Sequence, residues 1–473
     1  MRRAKIVCTL GPASAGVENI TRLIHSGMDV CRLNFSHGDH ATHEQALHDV
    51  RHAADITGKP VAILADLSGP KMRFGEMTGG GVDLVAGQTV LITTKNVMGT
   101  PEVLPAQCDI FPEGIEPGGI IFADDGKMQF IVERFQDNEI QCRVKNAGRL
   151  GSRKGLNIPH VQSMKSSLTD KDRTDIAFGR RIGVDYFALS FVRHPRDVAE
   201  AKSLAGNIPV IAKIEKPEAI DHLDEICEVS DGLMVARGDL GIEAGYEKVP
   251  LLQKRMIRAM NRRAKPVITA TQMLESMIKS PQPTRAEVSD VGNAVLDGTD
   301  AVMLSAESAV GDYPFLATET MARIITEVEG AAFEGKLPPK RPDLVQGDFT
   351  NAIARAAAGA AASLDLTAVA VYSLSGQSVR MVAAHRPRPI IAGFSNDQGN
   401  VRRMSLLWGV VPFYSLWFDT TREVVAQTEH ALLASGLANE GDRIALTFGL
   451  QDGGPTGTTT LKLWEVHRHT SGA

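Results

Sequence analysis

The sequence predicts an α/β fold in which a (β/α)8 TIM barrel carries an inserted all-β lid domain and is followed by a C-terminal α/β domain. Three observations support this fold class. Short runs of apolar and β-branched residues recur, helix-length segments separate most of them, and one gap is far too long for a helix. Runs that lack strict polar alternation are typical of strands covered on both faces, as in a parallel sheet.

Eight apolar runs make up the predicted barrel. Helical segments such as VENITRLIHSGM and PLLQKRMIRAMNRR lie between them, and repeated strand-then-helix units predict a closed parallel barrel. An open doubly wound sheet is the alternative, but it would need a glycine-rich phosphate fingerprint where TLGPAS offers a single glycine. The predicted strands are KIVCTL from Lys5, VCRLNF from Val30, VAILAD from Val61, YFALSF from Tyr186, VIAKI from Val210, GLMVA from Gly232, VITAT from Val267 and AVMLS from Ala301.

The long gap falls between the third and fourth strands, from about residue 71 to 165. Its segments GGGVDLVAGQTVLITT, GGIIFADDGKMQFIVERF and NEIQCRVKNAG are typical of short strands separated by turns. We therefore predict four segments: barrel residues 1–70, an inserted β-barrel lid domain at 71–166, barrel residues 167–340, and a C-terminal α/β regulatory domain at 341–473.

The segment after the eighth strand predicts the C-terminal domain. A helix, FLATETMARIITEVEGAAF, leads into GKLPPKRPDL, whose prolines suit a linker. Beyond it, the Ala-rich NAIARAAAGAAASL and TREVVAQTEHALLASGL indicate helices, and the Ala-rich stretch is too short to span a bilayer. The strands predicted here are AVAVYS, PIIAGFS and DRIALTF.

Composition limits the function classes. A formal net charge of -5 argues against a general nucleic-acid binder, and 43% hydrophobic with 23% charged residues is ordinary for a globular protein. The five cysteines are far apart and form no C-x-x-C pair, so they suggest neither a disulfide framework nor a zinc site. No signal peptide or membrane span fits the sequence, which predicts a cytoplasmic protein without a membrane partner.

Polar side chains follow five of the predicted strands, at the end where barrels of this type carry their catalytic groups. Strand residues two apart share a face, so Arg32, Asn34 and Ser36 are expected to point together, as are Lys213 with Glu215 and Thr269 with Thr271. Each group alone has an ordinary explanation as a solvated charge or a weak surface ion pair, but five consecutive groups favour one site. The groups are Arg32, Asn34, Ser36 and His37; Asp66; Lys213, Glu215 and Lys216; Arg237, Gly238 and Asp239; Thr269 and Thr271.

The acids among these residues predict a metal site. Glu215 and Asp239 offer two hard oxygen ligands from adjacent strands, which suits Mg²⁺ that keeps waters and takes substrate oxygens. Arg32, Lys213 and Arg73 add positive charge nearby. Mg²⁺ among cations, without a nucleophilic Ser or Cys, is typical of a site that stabilises a transferring phosphoryl group and an enolate-like oxygen.

Several long motifs in the same order resemble those of the pyruvate kinase family. They are KIVCTLGPAS, RLNFSHG, KIEKPEAI, MVARGDLGIE, ATQMLESM and PTRAEVSDVGNAVLDGTDAVMLSAES, with KGLNIP in the inserted domain. The resemblance runs from residue 4 into the C-terminal domain and implies phosphoryl transfer from phosphoenolpyruvate to ADP, giving pyruvate and ATP. It also implies Mg²⁺ or Mn²⁺ as the cofactor and a homotetramer.

The resemblance implies roles for individual residues. Arg32 would bind the phosphoryl group, Lys213 would stabilise it in transit, and Glu215 with Asp239 would hold Mg²⁺. Gly238 and Asp239 would also contact the substrate carboxylate region, and Thr271 would lie beside the enolate carbon. A threonine is too weak an acid to donate the proton alone, so a water chain through Thr271 is the hypothesis. The expected nucleotide contacts are Asn34, Ser36, His37, Arg73 and Lys154.

A loop in the C-terminal domain resembles the effector-phosphate loop of the family. It lies between a strand and the helix SVRMVAAH, and its side chains suit an anion at a helix N-terminus, although ordinary N-capping is an equal alternative. QDGGPTGTTTLKLW departs from enzymes activated by fructose 1,6-bisphosphate, so a sugar phosphate or AMP is expected without a choice between them. The loop residues are Ser373, Ser375, Gly376 and Ser378.

One motif departs from the commonest family pattern. Many members have GPEIR where this chain has GPKMR, and they require K⁺ held by residues that match Asn34, Ser36, Asp66 and the position of Leu67. The Lys71 ammonium supplies the charge that K⁺ supplies elsewhere, and Leu67 replaces a hydroxyl residue. We therefore expect no K⁺ requirement, the alternative being that Lys71 is a solvated hinge residue.

Two other functions compete with this interpretation. A Mg²⁺-dependent lyase or mutase acting on phosphoenolpyruvate or pyruvate would also use a barrel, an acid pair and an arginine, but it would not need a lid domain or nucleotide residues. A sensor that has lost catalysis is disfavoured because Lys213, Glu215, Asp239 and Thr271 are all present.

Overall fold

The computed structural model describes residues 1–108, 111, 113–124, 126–159, 166–335, 349–416, 418–449 and 457–468. The chain begins with three strands and two helices of a barrel. All five residues of the first and third strands are buried, as their unbroken apolar runs predict. These elements are β1 (Lys5–Thr9), α1 (Val17–Ser26), β2 (Val30–Asn34), α2 (His40–Thr57) and β3 (Ala62–Asp66).

The segment after β3 forms a separate all-β unit. It contains a two-stranded sheet and a six-stranded sheet, which enclose a core of their own that includes Phe74 and Phe130. The independent core supports the predicted lid domain, whose limits at 71 and 166 stay a prediction. Its strands are β4 (Gly81–Leu84), β5 (Thr89–Thr93), β6 (Val103–Pro105), β7 (Ile120–Ala123), β8 (Met128–Gln136), β9 (Glu139–Val144), β10 (Gly148–Gly151) and β11 (Leu156–Asn157).

The chain then returns to the barrel. Local sequence sets several helix starts: Thr169 with Asp172 and Thr284 with Glu287 form capping boxes that satisfy the first N–H groups of two helices. The elements are α3 (Asp170–Ile182), β12 (Tyr186–Leu189), α4 (Pro195–Ala205), β13 (Val210–Ile214), α5 (Glu218–Asp221), α6 (Leu223–Val229), β14 (Gly232–Ala236), α7 (Arg237–Ala244), α8 (Val249–Asn261), β15 (Val267–Ala270), α9 (Arg285–Asp297), β16 (Ala301–Leu304), α10 (Ala306–Ala309) and α11 (Pro314–Phe333).

The eight barrel strands close into one parallel sheet. Their order is β1-β16-β15-β14-β13-β12-β3-β2, and β1 pairs with both β16 and β2. The predicted eight-stranded barrel is therefore confirmed. Because every strand is parallel, all eight carboxyl ends meet at one rim, where active sites of such barrels lie.

The C-terminal domain is a five-stranded sheet with helices. Its strand order is β19-β18-β17-β20-β21, parallel except for the last strand. The predicted linker after Gly335 lies largely outside the described residues. Within the described residues, none of the helices has the length and apolar character needed to cross a membrane. The elements are α12 (Phe349–Leu364), β17 (Ala368–Tyr372), α13 (Gln377–Ala384), β18 (Ile390–Ser395), α14 (Gln398–Arg403), β19 (Val410–Tyr414), α15 (Thr421–Ala434), β20 (Arg443–Phe448) and β21 (Thr460–Glu465).

Candidate active site

A buried ion-pair network joins three strands at the carboxyl rim of the barrel. The guanidinium Nε of Arg32 lies 2.6 Å from Oδ2 of Asp66, and Nζ of Lys213 lies 3.0 Å from Oδ1 of the same carboxylate. Lys213 is also 3.0 Å from Oε1 of Glu215. β2, β3 and β13 thus deliver the four predicted residues to one place, with only 11% of the Lys213 side chain exposed.

The network fixes the charge of its members. Burial alone would lower the pKa of Lys213, but Asp66 and Glu215 raise it above its usual value. For Asp66, burial opposes ionisation, yet Lys213 and Arg32 hold the pKa of the carboxyl below its ordinary value. Lys213 is therefore a permanent cation at neutral pH, suited to stabilising negative charge rather than to exchanging protons.

The pKa of Glu215 is shifted in the opposite direction from that of Asp66. Its pKa is raised by burial and by the neighbouring charge of Asp239, while Lys213 and the backbone N–H of Phe191 oppose the shift. Two carboxyl groups that repel each other in a partly dry site favour a bound cation between them. The donor set of Glu215 and Asp239 therefore fits Mg²⁺, as the sequence predicts.

Two residues after β12 support the network and were not predicted from the sequence. Ser190 accepts a hydrogen bond from Lys213 Nζ at 2.7 Å and donates to the carbonyl of Leu67 at 2.7 Å. The backbone N–H of Phe191 donates to Oε2 of Glu215 at 2.7 Å, and Phe191 has a φ of 56°. A backbone donor held in the left-handed region gives no sequence signal, whereas a serine ending an apolar strand could have been noticed.

The turn after β3 carries Lys71 to the rim. Gly69 has a φ of +65°, and a Cβ there would lie 2.6 Å from the Phe191 ring, so only glycine fits. Beyond the turn, Nζ of Lys71 lies 3.2 Å from Oδ1 of Asp239, with 24% of the Lys71 side chain exposed. Lys71 is thus directed toward a candidate Mg²⁺ ligand and is not a fully solvated hinge residue.

Thr271 lies on a strained loop just beyond β15. It has a φ of 70° and Gln272 has a φ of 52°. The hydroxyl of Thr271 accepts from the N–H of Gly238 at 2.8 Å, and Arg237 donates to the Thr271 carbonyl at 2.7 Å. Two consecutive non-glycine residues in this region are costly and require such supports.

The expectation that Thr269 and Thr271 share a face is wrong. Strand β15 ends at Ala270, and the left-handed backbone of Thr271 breaks the alternation. Thr269 is buried and its hydroxyl donates to Thr299 at 3.0 Å, so Thr271 alone faces the site.

Within the described residues, the contacts of the predicted nucleotide residues are local and do not form one set. Asn34 Oδ1 accepts from the Ser36 N–H at 3.2 Å, which shapes the turn after β2. Arg73 donates to the Arg153 carbonyl at 3.3 Å, and Lys154 pairs with Asp124 at 2.9 Å within the lid domain.

The charge of His37 depends on the cations that surround it. Burial and the cations Arg73, Arg32 and Lys71 lower the pKa of His37, so all of these charges act on the same space.

The predicted effector loop lies in the C-terminal domain, between β17 and α13. Gly376 has a φ of 78°, and among the described residues the Gln377 and Ser378 N–H groups donate over a long 3.4 Å to Ser375 and Ser373. Ser378 shares a 2.5 Å hydrogen bond with Thr458. Residues 451–456 of the adjoining QDGGPTG segment lie outside the described part of the chain.

Comparison with known proteins agrees with this geometry. Two family descriptions match: "Pyruvate kinase, barrel domain" over residues 1–318 and "Pyruvate kinase, alpha/beta domain" over residues 351–464. Pyruvate kinase from Geobacillus stearothermophilus is 44% identical over 97% of this chain and 79% of its own length. That from Bacillus licheniformis is 43% identical over 98% of this chain and 80% of its own length.

A solved structure shares the architecture. A crystal structure of a pyruvate kinase from Cryptosporidium parvum superposes with a TM-score of 0.89 at 34% identity and covers 98% of this chain and 96% of its own. The agreement extends through the barrel, the inserted unit and the C-terminal domain.

Proposed function

The chain belongs to the pyruvate kinase family, and we propose that it transfers the phosphoryl group within the Arg32–Asp66–Lys213–Glu215 network without needing K⁺. As a phosphotransferase of this family it acts on phosphoenolpyruvate and ADP and forms pyruvate and ATP. The buried network at the carboxyl rim is the observation that supports these proposed roles, because it holds fixed positive charge of the kind that phosphoryl transfer needs.

Lys213 and Arg32 are the proposed phosphoryl-binding cations. Three acceptors hold the Lys213 ammonium: Asp66, Glu215 and Ser190. Asp66 aligns Arg32 from the other side at 2.6 Å. Such preorganised cations stabilise the charge of a transferring phosphoryl group without having to reorient as the reaction proceeds.

Glu215 and Asp239 are the proposed Mg²⁺ ligands, and Gly238 with Asp239 is proposed to contact the substrate carboxylate region. When bound, Mg²⁺ would neutralise negative charge on the phosphoryl and enolate oxygens. Phe191 orients Glu215 through its backbone N–H, and Lys71 borders Asp239. Mn²⁺ fits the same oxygen donors.

Thr271 is proposed to relay a proton to enolpyruvate through water. Its hydroxyl is held by Gly238 and Ala270, at 2.8 and 2.6 Å. Thr271→Val keeps the shape of the side chain and removes the hydroxyl, so proton transfer to enolpyruvate should slow on the order of tenfold or more. Exchange of solvent label into pyruvate measures the step, and full proton transfer in the variant would rule out the relay.

Nucleotide binding is assigned to Asn34, Ser36, His37, Arg73 and Lys154. Arg73 and Lys154 lie at the start and near the end of the lid domain, so closure of that domain would bring cations over the nucleotide phosphates and exclude water. Pyruvate formation that depends on ADP separates this function from a lyase or mutase, and adenine nucleotide binding without turnover would instead indicate a sensor.

Lys71 is the residue that supports activity without K⁺. Its ammonium lies 3.2 Å from Asp239, and the buried Leu67 side chain is a hydrocarbon, so it has no oxygen with which to bind a monovalent cation. Asp66, which matches a family K⁺ ligand, is engaged by Arg32 and Lys213. A covalently attached cation therefore takes the place of a bound one.

A charge reversal tests this role. Lys71→Glu should lower turnover in K⁺-free buffer on the order of a hundredfold, because it removes a cation beside the transferring charge, and added K⁺ should restore part of the rate. Lys71→Met is the matched control, which should lose rate without gaining a response to K⁺. A Lys71→Glu enzyme with unchanged rate and no response to K⁺ would refute the assignment.

The loop Ser373–Ser378 is the proposed effector site. In the described part of the chain, its helix-start N–H groups donate over a long 3.4 Å, and bonds to a phosphate group of a sugar phosphate or AMP would replace such weak bonds. Phosphoenolpyruvate saturation curves with several sugar phosphates and AMP test this, and no shift with any of them would remove the regulatory proposal.

The oligomeric state and the cellular compartment of the chain are also proposed. We infer a homotetramer from membership of the family, and light scattering measures it directly. All five cysteines lie in the described part of the chain and none of them forms a disulfide, which suits the reducing cytoplasm; they are Cys8, Cys31, Cys108, Cys142 and Cys227.

A further inference from the structure

Three metal-ligating side chains meet outside the catalytic network. His194 is the N-cap residue of α4, His222 lies between α5 and α6, and Glu225 is in the first turn of α6. One ligand atom from each of the three lies within 4.8 Å of the others. The two imidazole rings are 4.6 Å apart between centroids, so the histidines are direct neighbours.

The spacing approaches that of a bound transition metal. Two ligands in tetrahedral coordination at Zn–N and Zn–O distances of ~2.0–2.1 Å lie roughly 3.3 Å apart. Nδ1 of His222 and Oε2 of Glu225 are 3.3 Å apart already. Both side chains are accessible, at 40% and 63% exposure, so small rotations bring the third ligand into place without disturbing a core.

We propose that His194, His222 and Glu225 form a binding site for a Zn²⁺-class transition metal ion, with a fourth coordination position open to water. Two borderline imidazole nitrogens beside one hard carboxylate oxygen favour Zn²⁺, Ni²⁺ or Cu²⁺ over Mg²⁺. The site is therefore chemically distinct from the all-oxygen pair Glu215 and Asp239.

The cost of metal binding is small. Nδ1 of His194 accepts from the Arg196 N–H at 3.3 Å, a long bond that coordination by this ring would replace. The start of α4 keeps its other support, because Asp197 accepts from the His194 N–H at 3.1 Å and from the Arg193 N–H at 3.0 Å. Losing one long bond from a partly exposed residue leaves the helix in place.

The site would link two connections that lead from the catalytic rim. His194 follows Ser190 and Phe191, which hold Lys213 and Glu215, whereas His222 follows the strand that carries those two residues. A metal that bridges the β12–α4 and β13–α6 connections would cross-link the supports of the catalytic network. Metal binding to the folded state alone raises its thermal stability by mass action.

Calorimetric titration of Zn²⁺ into the full chain tests the proposal, with Mg²⁺ in excess to occupy the oxygen site. One Zn²⁺ should bind per chain. His222→Gln and His194→Asn should each weaken that binding about tenfold or more, because a nitrogen ligand is lost while Asn keeps the N-cap. His430→Gln on α15, an exposed histidine elsewhere, is the matched control and should bind as the native chain does.

Two readouts decide between a built site and incidental binding. Co²⁺ bound to the native chain should give the visible absorption of a tetrahedral ion, and Zn²⁺ should raise the melting temperature of the native chain but not of the variants. Binding within about threefold of native in both histidine variants would overturn the proposal. So would the absence of tetrahedral Co²⁺ absorption in the native chain, a result that does not depend on whether any variant folds.

Discussion

At the amino end of the barrel four aspartates occupy equivalent positions, whereas at the carboxyl end each strand carries a different polar side chain. Each of the four precedes a strand and exchanges hydrogen bonds with one residue of the preceding strand: its carboxylate accepts that residue's N–H, and its own N–H donates to that residue's carbonyl. The carboxylate pairs, at 2.8–2.9 Å, are Asp29 with Ile6, Asp185 with Ile63, Asp231 with Val210 and Asp300 with Val267.

The amino-end aspartates also bind cations, two of which come from the C-terminal domain. Arg402 lies 2.8 Å from Asp185, and Arg386 lies 2.9 Å from Asp300. Leu406 packs into the buried cluster that fills the interior of the barrel. The amino end therefore uses its carboxylates to close the sheet and to dock a domain.

The polar residues at the amino end of the barrel stabilise the fold, whereas we propose that those at the carboxyl end serve the reaction. A contact that recurs at every second strand serves the barrel itself, because the same strand start needs the same acceptor each time. The network of Asp66, Lys213 and Glu215 occurs once and gathers buried charge at the rim where we propose that substrate binds. We therefore expect substitutions at the amino end to lower stability and substitutions at the carboxyl end to lower turnover.

The largest expected effect is at the carboxyl end. Lys213→Met should lower kcat about a thousandfold, because it removes a preorganised cation from the proposed site of phosphoryl transfer. A coupled assay of pyruvate formation measures the rate, and circular dichroism confirms folding. Lys202→Met, which removes the 2.8 Å partner of Asp231 at the other end, is the matched control and should keep nearly native turnover.

Substitution of an amino-end aspartate should have the opposite outcome. In the native chain Arg51 and Arg402 each lie 2.8 Å from the Asp185 carboxylate. Asp185→Asn removes this negative charge and leaves both cations unpaired from it, so the free energy of unfolding should fall by about 3 kcal/mol. Urea unfolding measures the loss. A variant with native stability and a large loss of kcat would contradict the division between the two ends.

Lys5, in the first barrel strand, should make the stability of the fold depend on pH. Burial lowers the pKa of Lys5 to about 8, although Asp29 opposes the shift. Between about pH 8 and the unfolded value near 10.5 the unfolded chain binds a proton that the folded chain has released, so this group adds stability as pH rises. The native chain should gain about 2–3 kcal/mol relative to Lys5→Met over that interval. Parallel pH profiles of unfolding would show instead that Lys5 does not titrate in the folded barrel.

The smallest expected effect concerns the support of Lys213. Ser190→Ala removes one of the three acceptors around the ammonium and should lower kcat roughly tenfold with little change in KM. Ser190→Thr, which keeps the hydroxyl, is the matched control. An equal loss in both variants would assign the effect to packing rather than to the hydrogen bond.

Much of the fold follows from the sequence because buried parallel strands are continuous apolar runs. VIAKI and GLMVA coincide with β13 and β14 at both ends. β19 and β21 were not predicted, because β19 is partly exposed and contains Pro412, while β21 is an edge strand in which no residue is fully buried. Arg32, Asp66, Lys213 and Glu215, which the sequence predicts at strand ends, form one ion-pair network.

The parts of the site that the sequence did not predict depend on backbone geometry. Phe191 acts through its N–H at a positive φ, and Thr271 departs from strand alternation for the same reason. The approach of Lys71 to Asp239 depends on the turn at Gly69, whose close contact with Phe191 joins two distant segments. Such contacts require the closed barrel before they can be recognised.

The steady-state rate of pyruvate formation in a K⁺-free and Na⁺-free tetramethylammonium buffer, with saturating Mg²⁺, phosphoenolpyruvate and ADP, tests the central claim most directly. Because Lys71 already supplies the positive charge beside Asp239, we predict full activity in this buffer and a change of less than about twofold when K⁺ is added. A rate that rises many-fold on addition of K⁺ would contradict the account.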